Sequence, residues 1–328
     1  MEVGFHFICN GMFPLTGFSF IITLKMMKFV FKYVKILACT WLIGSPAGVI
    51  FGATRVNDPS QLPESYKKFN FAIIGDRTGA GPDSWKILDR AITEMNRMQP
   101  DFAVMIGDAI EGSRQSMSLQ SEWKEVFSHL DSLKMPLFLV PGNHDIYDRV
   151  SYNIWKEEIG DTYYSFSYQG CRFVVINTEE FHGTGEAGLG SRQMSFIRDQ
   201  IQNQSYEHLF LFMHQPMWIL KSELGKQWKT IEQLLEVIPH TVIAGHLHVL
   251  AAKRKNGKLM LIQGPTGGKM RMQRNPALGF FHHITWVTVR HGSPTVAFIE
   301  PGRVYGEVTA LKAYQRYIQG MMLLESGQ

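Results

Sequence analysis

Five polar clusters occur along this chain, and each begins where a short apolar run ends. The runs cover residues 69–75, 101–107, 137–140, 207–213 and 242–245. The clusters are Gly75-Asp76-Arg77-Thr78, Gly107-Asp108-Ala109-Ile110-Glu111, Gly142-Asn143-His144-Asp145, His214-Gln215-Pro216 and Gly245-His246-Leu247-His248. Strands that alternate with helices predict parallel pairing and an α/β domain. Ligands bind outside the carboxyl ends of such strands, so the clusters are predicted to meet at one site.

The segments between the clusters carry helical or strand patterns. Apolar residues at helical spacing predict helices over 83–98, 119–133, 192–202 and 231–237, and a last helix over about 308–318. A hairpin is predicted over 164–168 and 172–177, and later strands over 258–263, 282–289 and 295–299. Asn256-Gly257 predicts a tight hairpin turn, which accounts for the basic residues beside it. His282 and His283 adjoin an apolar strand and are predicted to be structural.

Charge and cysteine content exclude several kinds of protein. The 328 residues carry a net charge of +4. Without the four lysines and one acid of residues 1–53, 29 basic and 28 acidic residues remain, so no signal for nucleic-acid binding is present. Two of the three cysteines, Cys9 and Cys39, precede residue 54. The remaining Cys171 predicts neither a disulfide framework nor a cysteine metal cluster.

The N-terminus has the layout of an export signal. Lys28, Lys32 and Lys35 precede an uncharged stretch over 36–53, and a polar linker follows. We therefore predict an N-terminal extension plus a signal peptide or anchor over 1–53, with a linker over 54–68. The predicted location is exported, periplasmic or extracellular. The alternative is a membrane-anchored protein, because the uncharged stretch is just long enough to span a bilayer.

The residue types in the clusters suit two metal ions. Carboxylates and imidazoles are ligands of Zn, Mn and Fe alike, and one carboxylate can bridge two ions. Ions about 3.5–4 Å apart can hold an attacking oxygen and a phosphoryl group together. His246 and His248 alternate along a predicted strand, so both are expected to face the same side.

The order GD, GDxxE, GNHD, H, GHxH resembles the calcineurin-like metallophosphoesterase superfamily, from residue 69 to about 248. The resemblance implies a β-sandwich flanked by helices, with the site at the carboxyl ends of the strands. It implies a metallophosphoesterase domain over 69–300 and a C-terminal helical tail over 301–328. The implied reaction is metal-dependent hydrolysis of a phosphomonoester or phosphodiester by a metal-bridged hydroxide. The implied cofactors are two divalent or trivalent ions, Mn, Fe or Zn.

The resemblance also assigns six metal ligands, residue by residue. The first metal is expected to bind Asp76 and His248, and Asp108 is expected to bridge both metals. The ligands expected for the second metal are Asn143, His214 and His246.

Other residues are expected to act on the substrate. His144 is expected to contact the phosphate and to protonate the leaving group, and Asn143 lies beside it in the same motif. Glu111 falls where related phosphatases carry an acid that orients that histidine. Arg77 either adds positive charge toward the substrate or lies on the surface.

Two departures from the family pattern leave alternatives open. Thr78 stands where the family usually carries a histidine ligand of the first metal, so this metal is expected to be weakly held. Glu111 stands where purple acid phosphatases carry a tyrosine ligand, which excludes that branch. One alternative is a degenerate, non-catalytic protein that binds metal or phosphate. Another is a membrane-anchored enzyme acting on lipid phosphates, if 36–53 is retained. The oligomeric state is not predicted.

Overall fold

Two six-stranded sheets form the framework of the described residues, which are 56–63, 68–181, 188–202 and 205–320 of a computed structural model. The strands of the first sheet are β1 (Lys68–Ile74), β2 (Phe102–Met105), β3 (Leu137–Leu139), β10 (Ile284–Arg290), β11 (Ser293–Glu300) and β12 (Arg303–Gly306). The strands of the second sheet are β4 (Tyr164–Tyr168), β5 (Cys171–Val175), β6 (His208–Phe212), β7 (His240–Ala244), β8 (Ala251–Lys255) and β9 (Lys258–Ile262).

Both sheets are mixed, and each contains a set of neighbouring parallel strands. The first has the order β12-β11-β10-β1-β2-β3, in which β1, β2 and β3 are parallel. The second has the order β4-β5-β6-β7-β9-β8, in which β5, β6, β7 and β9 are parallel. Antiparallel pairing continues the first sheet on one side of its parallel part, through β10, and flanks the parallel part of the second sheet on both sides, through β4 and β8.

Aromatic side chains from both sheets form the layer between them. Phe71 and Phe102 of the first sheet stack with ring centroids 5.0 Å apart. Each also meets a ring of the second sheet edge-on: Phe71 contacts Phe210 at 5.2 Å, and Phe102 contacts Phe173 at 5.3 Å. Such offset and edge-to-face contacts add to the gain from burying the rings. The two sheets therefore share one core.

Among the described residues, five helices cover the outer faces of the two sheets, and a sixth packs on β8 and on the core that the sheets share. The helices are α1 (Asp83–Met98), α2 (Ser116–Leu130), α3 (Arg149–Glu158), α4 (Ser191–Gln202), α5 (Glu223–Leu234) and α6 (Glu307–Ala313). Leu88, Trp123 and Trp155 of α1, α2 and α3 pack against the first sheet. Ile197 of α4 and Trp228 of α5 pack against the second. The predicted α/β sandwich flanked by helices is confirmed.

The C-terminal region differs from the sequence expectation. We expected only helix after residue 300, but β12 extends the first sheet before α6 begins. The chain then continues through a short π-helical turn, Tyr314–Ile318. The strand escaped prediction because its four residues are mostly exposed and carry no alternating apolar pattern. Asn256 and Gly257 form the predicted hairpin turn, with φ of 52° and 77°, between β8 and β9.

Two helices and the N-terminal linker also differ from the sequence expectation. Helix α3 was not predicted, and α5 begins at Glu223 rather than near residue 231. At the N-terminal side, Val56 forms a bridge with Leu137, so part of the expected linker pairs with β3. The predicted extension and signal peptide or anchor, 1–53, lie outside the described residues. Within the described ranges, no helix has the length and apolar character needed to cross a membrane.

Candidate metal and phosphate site

The candidate site lies where the parallel strands of both sheets end. From the first sheet, Asp76 follows β1, Asp108 follows β2 and Asn143 follows β3. From the second sheet, His214 follows β6 and His246 follows β7. The first sheet thus supplies carboxylate and amide oxygens, and the second supplies imidazoles. This is the convergence that the sequence predicts for the carboxyl ends of parallel strands.

Asp108 lies at the centre of the site. Its Oδ1 accepts the backbone N–H of His144 at 2.9 Å, and its Oδ2 lies 3.3 Å from His214 Nε2. A Cβ at Gly142 would come within 2.4 Å of both the backbone nitrogen and Oδ1 of Asp108. Only glycine therefore allows this close approach of the third strand end to the carboxylate.

Three potential ligand groups meet beside Asp108. The Oδ1 of Asn143 lies 3.1 Å from His214 Nε2 and 2.8 Å from His246 Nδ1, and these two nitrogens are 3.3 Å apart. His214 Nδ1 lies 2.8 Å from the carbonyl oxygen of Ile106. A carbonyl only accepts, so Nδ1 donates there and Nε2 is left for the site. Asp108, His214 and His246 form one group able to hold a metal ion.

The electrostatics of this group favour a bound positive charge. Burial lowers the pKa of His214, but Asp108 and Asp76 outweigh burial, so this pKa lies well above its ordinary value. Burial also opposes ionisation of Asp108, yet His214 and His144 hold its pKa below the usual range. Burial and the neighbouring His214 lower the pKa of His246 to about 4, so its imidazole is neutral. A neutral imidazole and an ionised carboxylate are the forms that bind metals.

A second group shares Asp108 and lies beside Asp76. The Oδ1 of Asp76 accepts the backbone N–H of His246 at 3.0 Å and lies 3.7 Å from His248 Nε2. His248 Nδ1 donates to the carbonyl oxygen of Lys269 at 2.6 Å, which leaves Nε2 for the site. Asp76, Asp108 and His248 together form a group able to hold a metal ion.

The carboxylate of Asp76 has an unsatisfied oxygen. The side chain is fully buried, and its Oδ2 has no hydrogen-bond partner among the described residues. Burial raises the pKa of Asp76 above its ordinary value. A buried carboxylate oxygen without a partner is costly, and a cation relieves that cost. The donor set therefore fits two neighbouring metal ions that share Asp108.

Three of the candidate ligands have a backbone conformation that side-chain-bearing residues rarely adopt. Asp108, His246 and His248 have φ of 53°, 70° and 53°. The expectation that the two histidines alternate along a strand is therefore wrong, because β7 ends at Ala244 and both lie in the loop after it. Left-handed residues turn this loop sharply and bring both rings to the site. Such strain concentrates at functional sites.

The group around Asp76 has fewer potential ligands than the group around His214, and Thr78 lies buried near it. The residue is 2% exposed, and its carbonyl oxygen accepts the backbone N–H of Lys269 at 2.8 Å. The group around Asp76 contains two carboxylates and one imidazole, whereas the group around His214 contains two imidazoles, one carboxylate and the Asn143 amide.

Glu111 contacts His144 in a different way from the one expected. His144 Nδ1 lies 2.7 Å from the backbone carbonyl oxygen of Glu111, to which it donates. The carboxylate of Glu111 instead accepts the backbone N–H of Gly79, at 3.0 and 3.2 Å, and lies 3.4 Å from Arg77 Nη1. The backbone, and not the acid group, therefore orients the His144 ring.

Arg77 is buried, so the expectation of a surface position is wrong. Only 4% of the residue is exposed. Its Nε donates to the Ala109 carbonyl at 2.7 Å, its Nη1 donates to Ser84 Oγ at 3.1 Å, and its guanidinium lies 4.1 Å from the ring centre of Trp85. Burial lowers its pKa, and Glu111 opposes this shift. These contacts tie the loop after β1 to α1.

Asp145 is a site residue that the sequence interpretation did not assign. Its Oδ2 accepts the backbone N–H groups of Asp108 and Gly142, both at 2.8 Å. Its Oδ1 accepts those of Ala109 at 2.9 Å and Ile110 at 3.3 Å. One buried carboxylate thus joins the second and third strand ends. The signal was present, since this aspartate ends the GNHD cluster.

Comparison with known proteins agrees with this geometry. The sequence model of the calcineurin-like phosphoesterases matches residues 69–250, which is more than half of the chain. That segment begins in β1 and contains all six candidate ligands. No curated protein matches.

Solved structures with the same fold have low sequence identity to this chain. PhoD has a TM-score of 0.56 and 11% identity, covering 74% of this chain and 69% of its own. A dimetal phosphatase from Danio rerio has a TM-score of 0.53 and 15% identity, with coverages of 72% and 98%. GAP50, the anchor in the inner membrane complex of Plasmodium, has a TM-score of 0.53 and 14% identity, with coverages of 76% and 94%.

A purple acid phosphatase from yellow lupin (Lupinus luteus) seeds shares the fold as well. It has a TM-score of 0.52 and 16% identity over 74% of this chain. The match spans about half of the lupin enzyme, at 54% of its length. At sequence identities this low, these solved structures show that the fold is similar and nothing more.

Proposed function

This chain belongs to the calcineurin-like phosphoesterase family, and on that premise we propose that it hydrolyses a phosphomonoester or phosphodiester at a two-metal centre. The proposed ligands of the first metal are Asp76, Asp108 and His248. Those proposed for the second are Asp108, Asn143, His214 and His246.

One observation carries this proposal. The Asp76 carboxylate, one amide and three imidazoles from four other strand ends converge around Asp108, and two overlapping groups that share Asp108 are each compact enough for an ion. Metal ions held there would supply positive charge for the phosphoryl oxygens and make water a better nucleophile. Carboxylate and imidazole donors suit Mn, Fe or Zn.

His144 is the proposed general acid. Its backbone N–H is fixed on Asp108 and its Nδ1 donates to the Glu111 carbonyl, so Nε2 is the nitrogen available to substrate. As an imidazolium, it can donate the Nε2 proton to the leaving-group oxygen as the P–O bond breaks. Asn143 and His144 are adjacent, and both are proposed to contact the phosphoryl group.

Turnover of a generic aryl phosphate with added Mn²⁺ tests the proposal. We expect hydrolysis that depends on the added ion. Assays under the same conditions with phosphomonoesters, phosphodiesters, nucleotides and phospholipids then identify the substrate class. Complete inactivity across this set, in protein that holds metal, would contradict the proposal.

A non-catalytic metal-binding or phosphate-binding role is the second candidate. Thr78 in place of a ligand is the observation that favours it. The fold alone does not decide the matter, since one protein of similar fold is described as an anchor. The retained His144, oriented by hydrogen bonds, favours catalysis because a binder has no need of a general acid. Phosphate binding without turnover in the same screen would select the binder.

We also propose that the protein is exported, because the pattern of residues 28–53 has the layout of a signal peptide. N-terminal mass analysis of protein from its native host is expected to find a start between residues 50 and 60. A retained 36–53 segment would instead indicate a membrane-anchored enzyme, for which lipid phosphates become the first substrates to test.

A further inference from the structure

Lys269 lies in the loop between β9 and β10, and its backbone is fixed at the first metal group. Its N–H donates to the Thr78 carbonyl oxygen at 2.8 Å, and its own carbonyl oxygen accepts from His248 Nδ1 at 2.6 Å. The preceding Gly268 donates its N–H to the backbone carbonyl oxygen of Asp76 at 2.9 Å. The loop is thereby held against two candidate metal ligands.

The side chain of Lys269 extends over Gly79 at the rim of the site. A Cβ at Gly79 would lie 3.2 Å from Lys269 Cβ and 3.8 Å from its Cδ, so the absence of a side chain there leaves room for the lysine. The Gly79 N–H is bound by the Glu111 carboxylate, and Glu111 also contacts His144. Glu111 thus links Gly79, against which the lysine stem packs, to the proposed general acid.

The ammonium group of Lys269 is available to a ligand. The residue is exposed, and its Nζ has no hydrogen bond or ion pair with another residue in the described part of the chain. A lysine side chain carries its ammonium group on a flexible four-carbon stem, and it binds phosphate as a mobile point charge. The Lys269 carbonyl is bonded directly to His248, so the side chain starts from a backbone that contacts the first metal group.

We propose, on the basis of the proposed function, that Lys269 binds the substrate phosphoryl group beside the first metal. This contact gives the site a preference for phosphomonoesters over phosphodiesters. The lysine supplies positive charge at the place where Thr78 leaves the metal group short of a ligand. A phosphomonoester dianion carries twice the charge of a phosphodiester, so its attraction to one ammonium group is about twice as large.

Two aryl esters with the same leaving group test the preference. The full-length protein is assayed with Mn²⁺ on p-nitrophenyl phosphate and on bis(p-nitrophenyl) phosphate. We expect Lys269→Met to lower kcat/KM for the monoester by about 10- to 100-fold, the size of one charge-assisted hydrogen bond. The loss on the diester is expected to be about 3- to 10-fold, because the charge is halved. Lys269→Arg should recover most of the monoester activity.

The control is Lys86→Met, which removes an exposed lysine on α1 that pairs with Asp83. It should leave both activities unchanged. Equal losses on the two esters, or no loss, in Lys269→Met would overturn the proposal.

A binding measurement separates this inference from the proposed function. If the parent protein hydrolyses neither aryl ester, the wider substrate screen decides the proposed function, and calorimetry with inorganic phosphate on the Mn²⁺-loaded protein decides the role of Lys269. Phosphate affinity about 10-fold lower in Lys269→Met supports the contact. An unchanged affinity refutes it.

Discussion

Asp145 is predicted to hold the site together through its four backbone contacts. In Asp145→Asn, one amide oxygen can still accept two of the N–H groups, but the other two then face an NH₂ group. An unsatisfied buried donor costs about 1–3 kcal/mol, so two of them should lower the free energy of unfolding by about 2–6 kcal/mol. For a domain of this size the melting temperature should fall by roughly 5–20 °C.

The assay is urea and thermal unfolding followed by circular dichroism, with and without added Mn²⁺. Burial raises the pKa of Asp145 to about 7, so we would measure at pH 8, where the carboxylate is ionised. The matched control is Asp148→Asn, three residues later. Asp148 caps α3 by accepting the Ser151 N–H at 2.8 Å, and asparagine caps helices equally well. Equal stability of Asp145→Asn and the control would refute the reasoning.

Three further predictions concern the general acid, the first metal and a buried histidine. His144→Ala should keep its metals and lose turnover by ~10²–10⁴-fold, with a larger loss for alkyl than for aryl leaving groups. Equal losses for the two kinds of leaving group would mean that His144 only positions the substrate. Thr78→His should lower the Mn²⁺ concentration needed for half-maximal activity, because an added imidazole tightens the first metal site. Tight binding of two metals by the parent would contradict the expectation that this site is weak. Burial lowers the pKa of His283 to about 4, so between about pH 4 and pH 6.5 its side chain is neutral in the folded chain and charged in the unfolded chain. The free energy of unfolding should therefore fall by about 1.4 kcal/mol per pH unit between about pH 6.5 and 4, and His283→Gln should remove that part of the slope in denaturant titrations at each pH.

The strand ends and their convergence were predictable because the relevant signals are local. An apolar run followed by glycine and a polar ligand marks the end of a buried strand, and parallel order then brings the ends together. The sequence thereby led to Asp108 and the residues around it. Family resemblance supplied which of them form each metal group.

The remaining errors come from contacts that sequence spacing does not encode. His246 and His248 were expected to alternate along a strand. The loop that holds them escaped prediction because a left-handed φ at a histidine leaves no pattern in the sequence. The carboxylate of Glu111 lies with Arg77, since a buried guanidinium beside it attracts the charge. Asp145 has the same residue type as a ligand, but its oxygens are used by backbone N–H groups that only the tertiary structure brings together.

Metal content and turnover, measured on the same sample, test the two-metal centre most directly. Chelator-treated protein is titrated with Mn²⁺ while bound metal and the rate of aryl phosphate hydrolysis are recorded, for the parent and for Asp108→Asn. We predict that the parent rate rises as the chain binds up to two ions, and that Asp108→Asn stays folded but binds less metal and does not turn over. Full activity in the chelated parent, or in Asp108→Asn, would contradict a centre that shares Asp108.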